Sequence, residues 1–180
     1  MFNKSFYTIM IKKQMNKIHL HEYGKPAKRV SHRDFNKEDG IMIEIIAGVK
    51  GKGKTKILLE KVNEHVKSTQ GTIVYLDKNN KHMYELSNRV RLIEVPEYGI
   101  ESADMFVGFI AGIVSQDHDL DKVYLDSFLT IAKIADGALE GVIAKLQKIS
   151  DKFSVDFVIS ASMDKEDMPA AVQELVSVAL

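Results

Sequence analysis

Eight residues, GVKGKGKT at positions 48–55, combine three glycines with a lysine and a hydroxyl residue at fixed spacing. They match the pattern G-x-x-x-x-G-K-[ST]. In such a loop, glycines let backbone N–H groups turn toward a phosphate, and the following helix adds its free N–H groups and positive dipole end. The alternative is an ordinary turn between a strand and a helix. Because an apolar run precedes the loop and an amphipathic pattern follows it, the sequence favours phosphate binding.

The loop pattern assigns a role to its polar residues. Lys54, expected on the surface of the loop, reaches the terminal phosphates and serves as a catalytic cation, while the Thr55 hydroxyl ligates Mg²⁺. The predicted nucleotide contacts are Gly48, Val49, Lys50, Gly51, Lys52, Gly53, Lys54, Thr55 and Lys56. A carboxylate at the end of another strand should complete the metal site, and the run KVYLD supplies Asp126. Alternatively, Asp126 caps the next helix.

Short apolar runs alternate with helical stripes beyond residue 41, and these elements must position the loop. Strands are predicted over residues 41–46, 72–77, 89–95, 122–128 and 156–162. Helices are indicated after the loop and over residues 102–116, 139–149 and 167–180. Apolar strands separated by helices imply a parallel sheet covered on both faces. The predicted class is α/β, a three-layer P-loop NTPase sandwich with a mainly parallel five-stranded sheet, which binds ligands beyond the carboxyl ends of its strands.

The first forty residues differ from the rest in pattern and charge. Residues 1–41 contain nine basic and four acidic residues, although the whole chain is neutral. Residues 1–40 show no sustained period, so we expect a poorly ordered basic extension followed by a nucleotide-binding domain over 41–180. Such an arm is suited to nucleic acid or anionic lipid, or it folds back on the acidic remainder of the chain, or it is a solvated tail.

The amino-acid composition limits the cellular locations that are expected for the protein. The chain has no cysteine, which excludes disulfides and thiolate metal sites and fits a reducing compartment. Its most apolar stretch, residues 105–114, is far shorter than the roughly 20 residues that cross a bilayer. We therefore expect no membrane span and a cytoplasmic location.

Residues 41 to about 163 resemble RecA-like P-loop ATPases, in which the Walker B aspartate is often followed by serine, as in LDSF here. The segments MIEIIAG, RVRLIEVPEYGI and VYLDSFLTI are similar to those of small uncharacterised bacterial ATP-binding proteins, sometimes labelled twitching-motility ATPases. The resemblance implies ATP and Mg²⁺ as ligands and an ATPase or nucleotide-dependent switch as the function. A secretion-type motor, however, needs a further domain that 139 residues cannot hold.

Two departures from the RecA-like pattern predict slow turnover. Such enzymes carry a catalytic glutamate near the end of the second strand, where this chain has Asp77. Glu94 and Glu97, after the third strand, are the remaining candidates for a general base, and Glu97 is preferred. Beyond residue 41 the arginines are Arg89 and Arg91, both at the start of a strand. An arginine finger, worth about 10³-fold or more in rate, must then come from a protein partner or a second copy.

The sequence is also consistent with functions other than ATP hydrolysis. A small-molecule kinase of this fold usually needs lid arginines after the Walker B strand, and the chain has none there. A module that holds ATP without hydrolysing it is consistent with the missing glutamate. Asn36-Lys37-Glu38-Asp39 matches a guanine-reading motif, which would favour GTP. Ser160 and Ser162, at the end of the fifth strand, are either phosphate sensors or hydroxyls at the edge of the core.

Overall fold

The computed structural model describes residues 42–135 and 137–180, in which the apolar runs form one parallel sheet. The strands are β1 (Ile43–Ala47), β2 (Thr72–Asp77), β3 (Val90–Glu94), β4 (Leu120–Leu125), β5 (Asp156–Ala161) and β6 (Val176–Ala179). Their order across the sheet is β3-β2-β4-β5-β1-β6, and every neighbouring pair is parallel. The strand before the glycine loop is thus separated by one strand, β5, from the strand that ends before Asp126.

Helices connect most of these strands. They are α1 (Lys54–Ser68), α2 (Ala103–Gln116), α3 (Phe128–Ile131), α4 (Leu139–Phe153) and α5 (Ala170–Gln173), with 3₁₀ turns at Val95–Tyr98 and Lys165–Asp167. Helix α2 begins where the Ser102 side chain accepts a hydrogen bond from the N–H of Met105, which satisfies one of the free donors of its first turn. The β2–β3 connection, residues 78–89, consists of turns and bends.

The two faces of the sheet are covered by different helices. Leu58 and Val62 of α1 pack with Tyr75 and Tyr124 on one face. Residues of α2 and α4, such as Phe106 and Leu146, pack against the other face. Since alternate strand residues point to opposite faces, both clusters draw on the same strands. The predicted three-layer α/β class with a parallel sheet is confirmed, with six strands instead of five.

The sixth strand replaces a predicted helix. A closing helix was expected over residues 167–180, but the structure has only the short α5 before β6. β6 pairs with the outer edge of β1: the N–H of Ile45 donates to the carbonyl of Leu175 at 2.9 Å, and the N–H of Leu180 donates to that of Ala47 at 3.1 Å. An edge strand offers unpaired backbone groups, and the β-branched residues of VSVA suit a strand. Tertiary pairing outweighs a local pattern that also fits a helix.

An ion pair links β1 to the helix above it. Lys61 Nζ lies 2.7 Å from Glu44 Oε1, and the Ser177 hydroxyl donates to the same oxygen at 2.5 Å. Partial burial raises the pKa of Glu44, but Lys61 and Ser177 outweigh it and leave the pKa below its ordinary value. The pair therefore ties β1, α1 and β6 together while Glu44 is ionised.

Some predictions concern residues outside the part of the chain that the structure describes. These are the basic extension over residues 1–40, its nucleic-acid contacts and the guanine-reading motif at 36–39. Within the described residues, no helix combines the length and the apolarity needed to cross a bilayer.

Candidate nucleotide-binding site

The glycine loop joins β1 to α1 at the carboxyl end of the sheet. Gly53 is the N-cap of α1 with φ 91° and ψ 12°, a left-handed conformation that side chains disfavour. Gly48 has φ 141°, and a Cβ placed there would lie 2.8 Å from the Leu180 carbonyl oxygen. The N–H of Gly48 donates to the Met163 carbonyl at 2.8 Å. The first glycine is therefore held between the segments that follow β5 and β6.

Lys54 points into this loop and is buried, with only 6% of its surface exposed. Its Nζ donates to the carbonyl oxygens of Gly48 at 2.6 Å and Val49 at 2.8 Å. The prediction that Lys54 lies on the loop surface was wrong, because the loop wraps around the ammonium group. Burial lowers the pKa of Lys54, and the charges of Asp126 and Asp164 act in the opposite direction.

Asp126 follows β4 and is 3% exposed. Its Oδ1 accepts hydrogen bonds from the Ser127 N–H at 2.7 Å and from the Ser160 hydroxyl at 2.5 Å, and its Oδ2 accepts one from the Tyr75 hydroxyl at 3.2 Å. Helix α3 begins after Ser127, whose φ is 53°. The carboxylate is thus oriented by three donors and does not cap α3 from its N-cap position.

Asp77, at the end of β2, is the site residue that the sequence reasoning passed over. It is 2% exposed and lies beside Asp126, since β2 and β4 are neighbours in the sheet. Burial and the charge of Asp126 raise the pKa of Asp77, against the opposing effect of the hydrogen bond from the Lys78 N–H. The sequence carries a signal for this residue, because the strand TIVYLD ends in aspartate as KVYLD does.

The remaining loop residues are more open. Thr55 is half-buried in the first turn of α1, and Val49, Lys50 and Lys52 are exposed. Lys56 lies on the outer side of α1, in a shallow polar groove that also contains Glu85. The loop therefore has one buried lysine, Lys54, and two exposed ones, Lys50 and Lys52.

Glu97 is exposed in the 3₁₀ turn that follows β3. β3 is an edge strand four positions from β1, about 19 Å away at about 4.8 Å per strand. It is, however, the neighbour of β2, where Glu94 pairs with Asp77. Arg89 also has a structural task, because its guanidinium donates to the carbonyl oxygens of Val66 at 2.7 Å and Thr69 at 2.8 Å. The structure brings Asp77 close to Asp126 and Asp126 within electrostatic range of Lys54, whereas Glu97 is an exposed side chain beyond the end of β3.

Comparison with known proteins gives a likeness in fold. The chain is similar to the flagellar accessory protein FlaH from Methanocaldococcus jannaschii, with 11% identity and a TM-score of 0.47. The similarity covers 74% of this chain and 66% of FlaH, just under two thirds of that protein. No protein-family model and no curated protein matches the chain. A likeness at this level carries no argument about activity, and it gives no support to the twitching-motility label.

The donor set nonetheless fits a specific class of ligand. Backbone N–H groups at a helix start and a lysine ammonium suit phosphate oxygens. The Thr55 hydroxyl and the Asp126 carboxylate are oxygen ligands, which Mg²⁺ prefers. The residues present are therefore suited to a phosphate chain together with its magnesium ion.

Proposed function

We propose that this protein binds Mg-ATP and acts in the cytoplasm as a slow ATPase or a nucleotide-dependent switch. One observation carries the proposal: the 48–55 loop closes around the Lys54 ammonium, which it holds by the Gly48 and Val49 carbonyls. A lysine buried in this way is pre-positioned, so it meets phosphate oxygens with little loss of side-chain freedom. ATP, rather than GTP, follows from the RecA-like resemblance of the sequence.

Each part of the site has a task in this proposal. The loop amides and Lys54 bind the phosphate oxygens, while Thr55 and Asp126 hold Mg²⁺, which neutralises charge on the phosphates. Ser160 and Tyr75 keep the Asp126 carboxylate in one orientation through their hydroxyls. Preorganised groups of this kind stabilise developing charge because they need not reorganise during reaction.

Hydrolysis is expected to be slow because two components are weak. Asp77, buried beside Asp126, is preferred over the exposed Glu97 as the carboxylate that orients the attacking water, and Asp77 is one methylene shorter than the glutamate of RecA-like enzymes. Arg89 is engaged at the opposite end of β3 and cannot stabilise the phosphoryl group. A protein partner or a second copy that supplies an arginine would raise the rate by about 10³-fold or more.

Calorimetric titration of Mg-ATP into the wild type, Lys54→Ala and Lys52→Ala tests the binding proposal. Loss of a hydrogen bond between charged groups costs about 1.5–3 kcal/mol, so Lys54→Ala should weaken binding by about 10- to 100-fold. Lys52 is an exposed lysine of the same loop, and its removal should have a much smaller effect. Equal affinity in all three proteins, with unchanged melting curves, would show that the loop does not bind the nucleotide. Competition with GTP in the same titration tests the guanine alternative.

Measurements of single-turnover hydrolysis in variants identify the carboxylate that orients the attacking water. Asp126→Asn should depress the rate by weakening the metal site, and Asp77→Asn should depress it without a matching loss of Mg-ATP affinity. Glu97→Gln is the comparison, since Glu97 is the base expected from sequence. A wild-type rate near 10 s⁻¹ without a partner, about the median for enzymes, would contradict the inference that the catalytic site is incomplete. A rate lost in Glu97→Gln and kept in Asp77→Asn would return the role to Glu97.

A further inference from the structure

A histidine joins the two buried carboxylates at the carboxyl ends of β2 and β4. One ligand atom each from Asp77, His82 and Asp126 lie within 4.8 Å of one another. Two ligand atoms of a tetrahedral ion, each bonded at about 2.1 Å, are about 3.4 Å apart. The three side chains therefore reach a common ion after small rotations, without movement of the strands.

Asp77 brings a buried side chain to this cluster, with 2% of its surface exposed. Its Oδ1 accepts a hydrogen bond from the Lys78 N–H at 2.6 Å. Burial, together with the nearby charge of Asp126, raises the pKa of the Asp77 carboxyl. Two adjacent buried carboxylates repel each other, and a divalent cation between them removes that cost.

His82 is oriented as metal-binding histidines are. Its Nδ1 lies 2.7 Å from Glu85 Oε1. Histidines that ligate metals typically donate their other ring N–H to a carboxylate, which fixes the tautomer and the ring orientation. Nε2 is then the nitrogen available to an ion. The side chain is 31% exposed, so an ion can enter from solvent along the 78–89 connection.

We propose that Asp77, His82 and Asp126 bind a divalent first-row transition-metal ion in the nucleotide-free protein. Imidazole suits Zn²⁺, Co²⁺, Ni²⁺ and Fe²⁺, whereas Mg²⁺ prefers oxygen ligands, so the histidine sets the class of metal. The site shares Asp126 with the proposed Mg-ATP site, but it needs neither the nucleotide nor the glycine loop. If the proposed function holds, an ion bound here occupies both carboxylates that hydrolysis requires, so the bound ion and turnover exclude each other.

Co²⁺ is the probe. Its binding to the full chain without nucleotide is measured by calorimetry and by visible absorption. The background protein carries glutamine at His19, His21 and His32, because these residues lie outside the described part of the chain and imidazole is a ligand that suits Co²⁺. We expect one Co²⁺ per chain in this background, with an absorption band typical of nitrogen and oxygen ligands. Absence of stoichiometric Co²⁺ binding overturns the proposal.

Variants in this background test the ligands one at a time. His82→Gln and Asp77→Asn should each weaken Co²⁺ binding by at least about tenfold. His118→Gln removes an exposed histidine between α2 and β4, and it should change nothing. Because His82 is partly exposed, the His82→Gln variant should fold, and it therefore tests the site even if Asp77→Asn fails to fold. Co²⁺ affinity within threefold of the background in His82→Gln, or in a folded Asp77→Asn, overturns the proposal.

Lys54→Ala separates this proposal from the proposed function. The variant should lose Mg-ATP affinity and keep or gain Co²⁺ affinity, since Lys54 is not a ligand of the ion and its positive charge interacts with Asp126. Conversely, His82→Gln should lose Co²⁺ and keep Mg-ATP. Loss of Co²⁺ binding in Lys54→Ala would show that the ion sits in the glycine loop, and it would refute the Asp77–His82–Asp126 site.

Discussion

Ser160→Ala tests whether the Asp126 carboxylate is held in place by its neighbours. Ser160 is 1% exposed, and its hydroxyl donates to Asp126 Oδ1 and accepts from the Ser127 N–H at 3.0 Å. The substitution removes one hydrogen bond to a carboxylate, worth about 1.5–3 kcal/mol. The Ser127 N–H keeps its second acceptor, Asp126 Oδ1 at 2.7 Å, so no further donor is left unpaired. We therefore expect the free energy of unfolding to fall by about 2 kcal/mol.

Ser162→Ala is the matched control, because Ser162 is exposed two residues further along the same segment. Its free energy of unfolding should stay within about 0.5 kcal/mol of the wild type. Urea denaturation followed by circular dichroism measures both, and a domain of this size should lose about 6–8 °C in melting temperature for the Ser160 change. If Ser160→Ala costs no more than Ser162→Ala, the hydroxyl does not position Asp126, and the proposed orientation of the metal ligand fails.

Three further outcomes follow from contacts described above. Gly48→Ala should lower the free energy of unfolding by about 1–3 kcal/mol. Gly108→Ala, in open space on α2, should raise it by up to about 1 kcal/mol. If denaturation shows that both substitutions change the free energy of unfolding in the same direction, Gly48 is not in a conformation that a side chain would strain. Because the pKa of Glu44 lies below its ordinary 4.5, its contribution is present above that pH and is lost as pH falls through the lowered pKa. Melting temperatures between pH 3 and 6 should therefore decline less steeply for Glu44→Gln than for the wild type, and Glu60→Gln, on the exposed side of α1, should match the wild type. Deletion of residues 1–40 should leave Mg-ATP affinity and the melting temperature about unchanged; a large loss in a thermal scan would show that the extension belongs to the core.

The strands could be predicted from sequence because each is a short apolar run closed by a polar or turn-forming residue. β2 has the predicted bounds, Thr72–Asp77, and the other four predicted strands differ from the observed ones by one to three residues at one or both ends. The phosphate-loop pattern could be recognised for a similar reason, since its glycines and lysine are contiguous. These features depend on neighbours in the chain, and the sequence records them directly.

Features that depend on strand order could not be predicted in the same way. The proximity of Asp77 to Asp126 arises because β2 lies next to β4, and no local pattern specifies that pairing. The strand character of residues 176–179 depends on the free edge of β1, more than a hundred residues away in sequence. The burial of Lys54 likewise comes from the path of the loop, whereas the residue type alone suggests an exposed side chain.

The anchoring of Gly48 has a consequence for the order of folding. The motif is local in sequence, yet the first residue of the loop is fixed by the carbonyl of Met163 and packs against Leu180. Each of these contacts joins residues more than a hundred positions apart. Such contacts form late in folding, because the chain loses the entropy of closing a long loop before the contact can stabilise it. A chain that has formed α1 and the β2–β4 region therefore still lacks the finished loop. Competence to bind a phosphate should arise at the end of folding, together with the docking of β6 on β1.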